Sequence, residues 1–111
     1  FSVIFRMQTM KKWDDAGRDY NRCMALPFWS YLDAGGSVWG CSVYLGDERF
    51  YYGNINESSF KEIWEGERRL KSLKWVEEEF DAGQCRTNCR MDEVNRYLWE
   101  LKHPAAHVNF I

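Results

Sequence analysis

CMALPFWSYLDAGGSVWGCSVYL (residues 23–45) sets two aromatic-rich apolar runs, 28–32 and 38–45, on either side of the glycine-containing loop DAGGS. Trp, Tyr and Val suit a pleated, half-buried surface, and paired glycines let the chain reverse tightly. The stretch predicts a β-hairpin, with Cys23 just ahead of it and Cys41 on its second strand. Two cysteines therefore bracket the element that decides the fold.

Working outward, RFYYGNI (49–55) follows a GDE turn and predicts a third strand ended by Gly53 and Asn54. In NESSFKEIWEGERRL (56–70) the period changes: Ser58 or Ser59 can cap a helix, Glu62 completes a capping box with Ser59, and Phe60, Ile63 and Trp64 share one face. Leu70, Leu73, Val76 and Phe80 continue helical spacing until DAGQ (81–84) breaks it. A last helix is expected from about Met91 to Leu101, with Val94, Leu98 and Leu101 on its apolar face and Pro104 beyond its end. Upstream, FSVIFRMQTM places Phe1, Val3, Phe5 and Met7 at period two and reads as a strand, and KKWDDAGRDYNR reads as a charged connector. These elements predict an α+β fold: a small antiparallel hairpin or sheet followed by two or three helices around a cysteine-ligated metal centre. A boundary near residue 20 separates residues 1–20 from a module spanning 21–111.

At 111 residues the chain is about one domain, of a size at which a metal or cross-link adds appreciably to stability. Its 15 Lys+Arg against 17 Asp+Glu give a formal net charge of -2, with no basic stripe along the sequence, which argues against a nucleic-acid partner. No apolar run approaches the roughly 20 residues of a membrane span, and no signal pattern opens the chain. A cytoplasmic setting is expected.

Four cysteines, Cys23, Cys41, Cys85 and Cys89, lie 17, 43 and 3 residues apart, counting those between. Disulfides, inert buried thiols and metal ligation are all compatible with that count, and a reducing compartment favours ligation. A layout with one thiol before a hairpin, one within it and two on a later turn can bring distant segments to a point. Structural zinc more often uses two short C-x2-4-C pairs, so the wide first gap tilts the reading towards an iron–sulfur cluster, with zinc as the alternative.

Other residues carry weaker signals. His103 and His107 could complete a mixed Cys/His zinc site, but Pro104 between them breaks the helix that would align them. Trp29, Trp39, Trp64, Trp75 and Trp99 fall within periodic elements and read as packing residues. Asp14, Asp15, Glu77, Glu78 and Glu79 read as solvated charge, and Gly35–Gly36 as a plain turn with no helix behind it to hold a phosphate.

In order along the chain, CMALPFWSYLDAGGSVWGC, GNINESSFKEIWEGE and CRTNCRMDEVNRYL resemble three successive blocks of the SPASM/twitch domain of radical SAM enzymes, together covering about residues 21–101. The resemblance implies an auxiliary [4Fe-4S] cluster held by Cys23, Cys41, Cys85 and Cys89, with zinc a possible occupant after aerobic preparation. With four cysteines the chain is similar to the single-cluster, twitch-like form. The C-x3-C-x2-C triad that binds the S-adenosylmethionine-cleaving cluster is not in this sequence, so the resemblance places S-adenosylmethionine on a preceding barrel domain, of which residues 1–20 would be a remnant. Full cysteine ligation would leave no open iron, which implies electron transfer, active-site organisation or structural support. Arg86 and Arg90 beside the thiols would either favour the reduced cluster or be solvated. If residues 1–10 form an orphaned strand, the chain is expected to self-associate through that edge.

Overall fold

The computed structural model describes residues 1–14 and 17–106. Residues 1–6 carry no regular structure, and Met7–Asp14 is a helix, α1. The strand expected over residues 1–10 is therefore not formed. Period-two spacing there spans only four apolar positions and finds no partner strand, so Phe1, Val3 and Phe5 are exposed, while the Met- and Lys-containing segment after them turns helical. The edge on which self-association was expected is absent among the described residues.

The sheet has three strands in the order β1 (Tyr31–Leu32), β2 (Ser37–Trp39), β3 (Tyr51–Asn54), all antiparallel. Its first turn is closed by Asp33, whose Oδ1 accepts the Gly35 and Ser37 amides at 2.9 Å, and Gly36 takes a positive φ of 84°. The turn is structural, as its composition indicates. Between β2 and β3 the register slips at Val38/Trp39, and opposite Val38 lies Gly53, where a Cβ would come within 3.1 Å of Ile63. Glycine there lets the following helix close onto the sheet, and Val38, Tyr52 and Ile63 form a small core.

That helix, α2 (Phe60–Glu65), carries the expected capping box: the Ser59 hydroxyl accepts the Glu62 amide at 3.2 Å and the Glu62 carboxylate accepts the Ser59 amide at 3.0 Å. Gly66 separates it from α3 (Glu67–Glu78). α3 packs Val76, with Phe80 just beyond it, against Leu26 and Phe50 to make the larger core. Around Phe50 the rings of Tyr44, Trp75 and Phe80 lie 4.7–5.6 Å away, centroid to centroid. Trp29 and Trp75 also pack on this core, as their periodic placement suggests.

The last helix, α4 (Asp92–Lys102), forms where predicted but turns its other face inward. Asp92 and Asn95 are its buried residues, whereas of the expected apolar face Val94 and Leu101 are exposed and Leu98 is half-buried. Hydrogen bonding decides the rotation. Asp92 accepts from Tyr20 Oη at 2.5 Å and pairs with Lys12 and Arg96 at 2.9 Å. Asn95 Oδ1 accepts the backbone amides of Met24 and Ala25 at 2.7 and 3.0 Å. Buried polar groups with full sets of partners outweigh the burial of Val94 and Leu101. Glu77, Glu78 and Glu79 are exposed, as expected of solvated charge. No helix among the described residues is long and apolar enough to cross a membrane.

Candidate metal centre

The four thiols arrive on four irregular pieces of backbone. Cys23 lies in the loop before the 3-10 turn Leu26–Phe28. Cys41 is beyond β2, not on it: the strand ends at Trp39, and Cys41 caps the 3-10 turn Ser42–Tyr44. Cys85 closes the 3-10 turn Ala82–Gln84, and Cys89 lies three residues before α4. Irregular backbone suits a ligand set, because a strand sends alternate side chains to opposite faces whereas a turn can aim sulfur inward.

All four sulfurs line one cavity, walled by Leu26, Trp29, Phe50 and Phe80. Long-range hydrogen bonds fold the segments together around it: Arg22 donates to Phe80 O at 2.7 Å, Ala82 N to Asn21 O at 2.9 Å, and Arg18 donates to the carbonyls of Ala82 and Arg86. Each sulfur has a polar partner. Val43 N donates to Cys41 Sγ and Met91 N to Cys89 Sγ, both at 3.4 Å. Asn95 Nδ2 donates to Cys23 Sγ, and Tyr44 Oη lies against Cys85 Sγ, both at 3.5 Å. Burial raises the Cys23 and Cys41 thiols above their ordinary range, opposed chiefly by the Asn95 contact in the first case and the Val43 amide in the second. Burial also raises the Tyr44 phenol, with the Cys85 contact adding to it. The phenol therefore stays protonated at neutral pH, and its O–H can donate to the Cys85 sulfur once that sulfur carries no proton of its own.

Among the described residues no three His, Cys, Asp or Glu side chains stand close enough to hold a single metal ion. His103 takes no part: it is exposed and stacks on Trp99 at 4.0 Å, and His107 lies outside the described residues. Arg86 and Arg90 are exposed and do not line the sulfur cavity, whereas Arg18, which sequence reading passed over, does. Asn95, Tyr44 and Tyr20 were missed as well; each acts across more than 40 residues of chain, with no local spacing to betray it.

The profile of the SPASM domain, an iron-sulfur cluster-binding domain, matches residues 23–90, from the first cysteine to just past the last. The chain belongs to this family. Searches of curated proteins and of solved structures gave no match. The donor set of this SPASM domain fits its family's cofactor: four soft sulfurs in an apolar-walled cavity, each already provided with a hydrogen-bond partner.

Proposed function

We propose that this SPASM domain holds one [4Fe-4S] cluster on Cys23, Cys41, Cys85 and Cys89 and serves as the auxiliary domain of a radical SAM enzyme. The observation that carries this reading is the convergence on one cavity of four thiols separated by 17, 43 and 3 residues. When bound, such a cluster supplies one-electron chemistry without an open iron for substrate. S-adenosylmethionine would be handled by a partner barrel domain, since the triad for it is not in this sequence.

The chain's own residues set the environment. Leu26, Trp29, Phe50 and Phe80 give the half-buried cysteines an apolar surround, and Val43 N, Met91 N and Asn95 Nδ2, with Tyr44 Oη once Cys85 is a ligand, would stabilise negative charge on the sulfurs, which favours the reduced state. Electron relay to or from a substrate radical is the role this environment suits.

A zinc-stabilised interaction module is the competing reading; the 17-residue gap between Cys23 and Cys41, where structural zinc more often uses two short cysteine pairs, favours a cluster over it. Anaerobic reconstitution with iron and sulfide separates the two. Broad visible absorption with about four irons per chain is expected, and one tightly held zinc with no visible band supports the rival. Cys85→Ser should abolish the band and lower the melting temperature; an unchanged spectrum removes Cys85 from the ligand set.

A further inference from the structure

A second cavity, of about 340 Å3, opens on the outer side of Cys89, between α1, the Cys85–Cys89 loop and the start of α4. Its charged lining residues are Arg6, Lys12, Arg86, Arg90 and Glu93. Lys12 is already neutralised, with Asp92 at 2.9 Å and Glu93 at 2.8 Å. The three guanidiniums are different: among the described residues none of them has a carboxylate partner.

Every other arginine in the chain is engaged. Arg18, Arg22 and Arg69 donate to backbone carbonyls, Arg49 and Arg68 pair with Asp47 and Glu48, and Arg96 pairs with Asp92. The arginines left without a side-chain partner among the described residues thus all line one concave site, in a chain whose net charge is -2. Converging like charges repel, and the arrangement is stabilised by an anion that bridges them. Asn88, from the same loop as Arg86 and Arg90, lines the groove beside them.

We infer that the groove formed by Arg6, Arg86, Arg90 and Asn88 binds a small multiply charged oxyanion, carboxylate- or phosphate-bearing, immediately outside Cys89. Guanidinium forks match the oxygens of either group. The site is distinct from the sulfur cavity, with Cys89 as the residue common to both, and its existence does not depend on which metal the thiols hold.

Titration of the reconstituted chain with pyrophosphate and, separately, citrate at physiological ionic strength, followed by calorimetry, tests this. Saturable one-site binding of at least one probe is expected, and the tighter probe identifies the phosphate or carboxylate source. Arg86→Gln/Arg90→Gln should weaken it about ten-fold or more, and Arg6→Gln, outside the ligand loop, should weaken it by a smaller factor. Lys61→Gln/Lys71→Gln removes equal charge from exposed positions elsewhere and should leave it unchanged. Equal losses in the two double variants, or no saturable binding of either probe, overturn the inference. So does a shift of cluster potential in Arg86→Gln/Arg90→Gln without anion binding, because the arginines would then act only as counter-charge to the cluster.

Discussion

At the sheet end, around Val38, Tyr52 and Ile63, the polar side-chain bonds have short or moderate spans: Asp33 to Gly35 and Ser37, Asn54 to Asn56 and Ser59 to Glu62 reach two to four residues, and Asn54 and Asn56 reach back to Gly35 and Ser37 across 17 to 21. At the sulfur end they join opposite ends of the chain: Tyr44 to Cys85 across 41 residues, Arg22 to Phe80 across 58, Asn95 to Ala25 across 70 and Tyr20 to Asp92 across 72. Local bonds form with little loss of chain entropy, whereas the long ones depend on large loops being closed first. The larger aromatic core does that closing, and metal ligation would add to it. The sulfur end is thus the conditional part of the molecule.

Phe50→Ala tests this most severely. Phe50 is 1% exposed and its ring meets three other aromatic rings at the root of the sulfur cavity. Truncation should cost about 3–5 kcal/mol in denaturant unfolding, with loss of iron uptake. A variant that still takes up a full cluster would mean the long-range bonds hold the thiols without the core.

Asp92 gives the next largest effect, and it depends on pH. Burial by itself would raise its carboxyl, but bonds from Tyr20, Lys12 and Arg96 outweigh this and hold it down at about 2, against 3.8 ordinarily. A depressed carboxyl stabilises the fold above its unfolded value, and the contribution disappears as pH falls through the folded one. Between about pH 4 and pH 2 the chain should lose about 2 kcal/mol from this group, and Asp92→Asn should flatten the profile over that window. Hydrogen exchange on the metal-free chain, where cluster loss in acid does not interfere, should show α4 and the Met24–Ala25 amides opening before β2 and β3. Simultaneous opening would erase the distinction between the ends.

The same contrast explains what could be read from the sequence. The hairpin, its Asp33–Ser37 turn, the Ser59/Glu62 box and the break at DAGQ are local, and each has a signature of a few residues. The four cysteines were legible because their chemistry is distinctive at any separation. The inward face of α4 was not: apolar periodicity selects Val94, Leu98 and Leu101, while the orientation is set by Tyr20, Lys12 and the Met24–Ala25 amides, some 70 to 80 residues earlier. Residues 1–10 misled for a related reason. A strand exists only when paired, and period-two spacing says nothing about whether a neighbour is available.

Ser59→Ala is the mildest probe and the one that isolates the sheet end. The Ser59 hydroxyl satisfies one free amide at the start of α2, and with Glu62 it closes a reciprocal pair on the surface, far in kind from any contact to sulfur. Its loss should cost about 1 kcal/mol by thermal or denaturant unfolding while iron content and visible absorption stay unchanged. Combined with Phe50→Ala, the two costs should add to within about 0.5 kcal/mol, as expected of sites that share no partner. A larger discrepancy would show that α2 transmits strain through Gly66 into α3 and so to the core beside the thiols, making the two ends one cooperative unit after all.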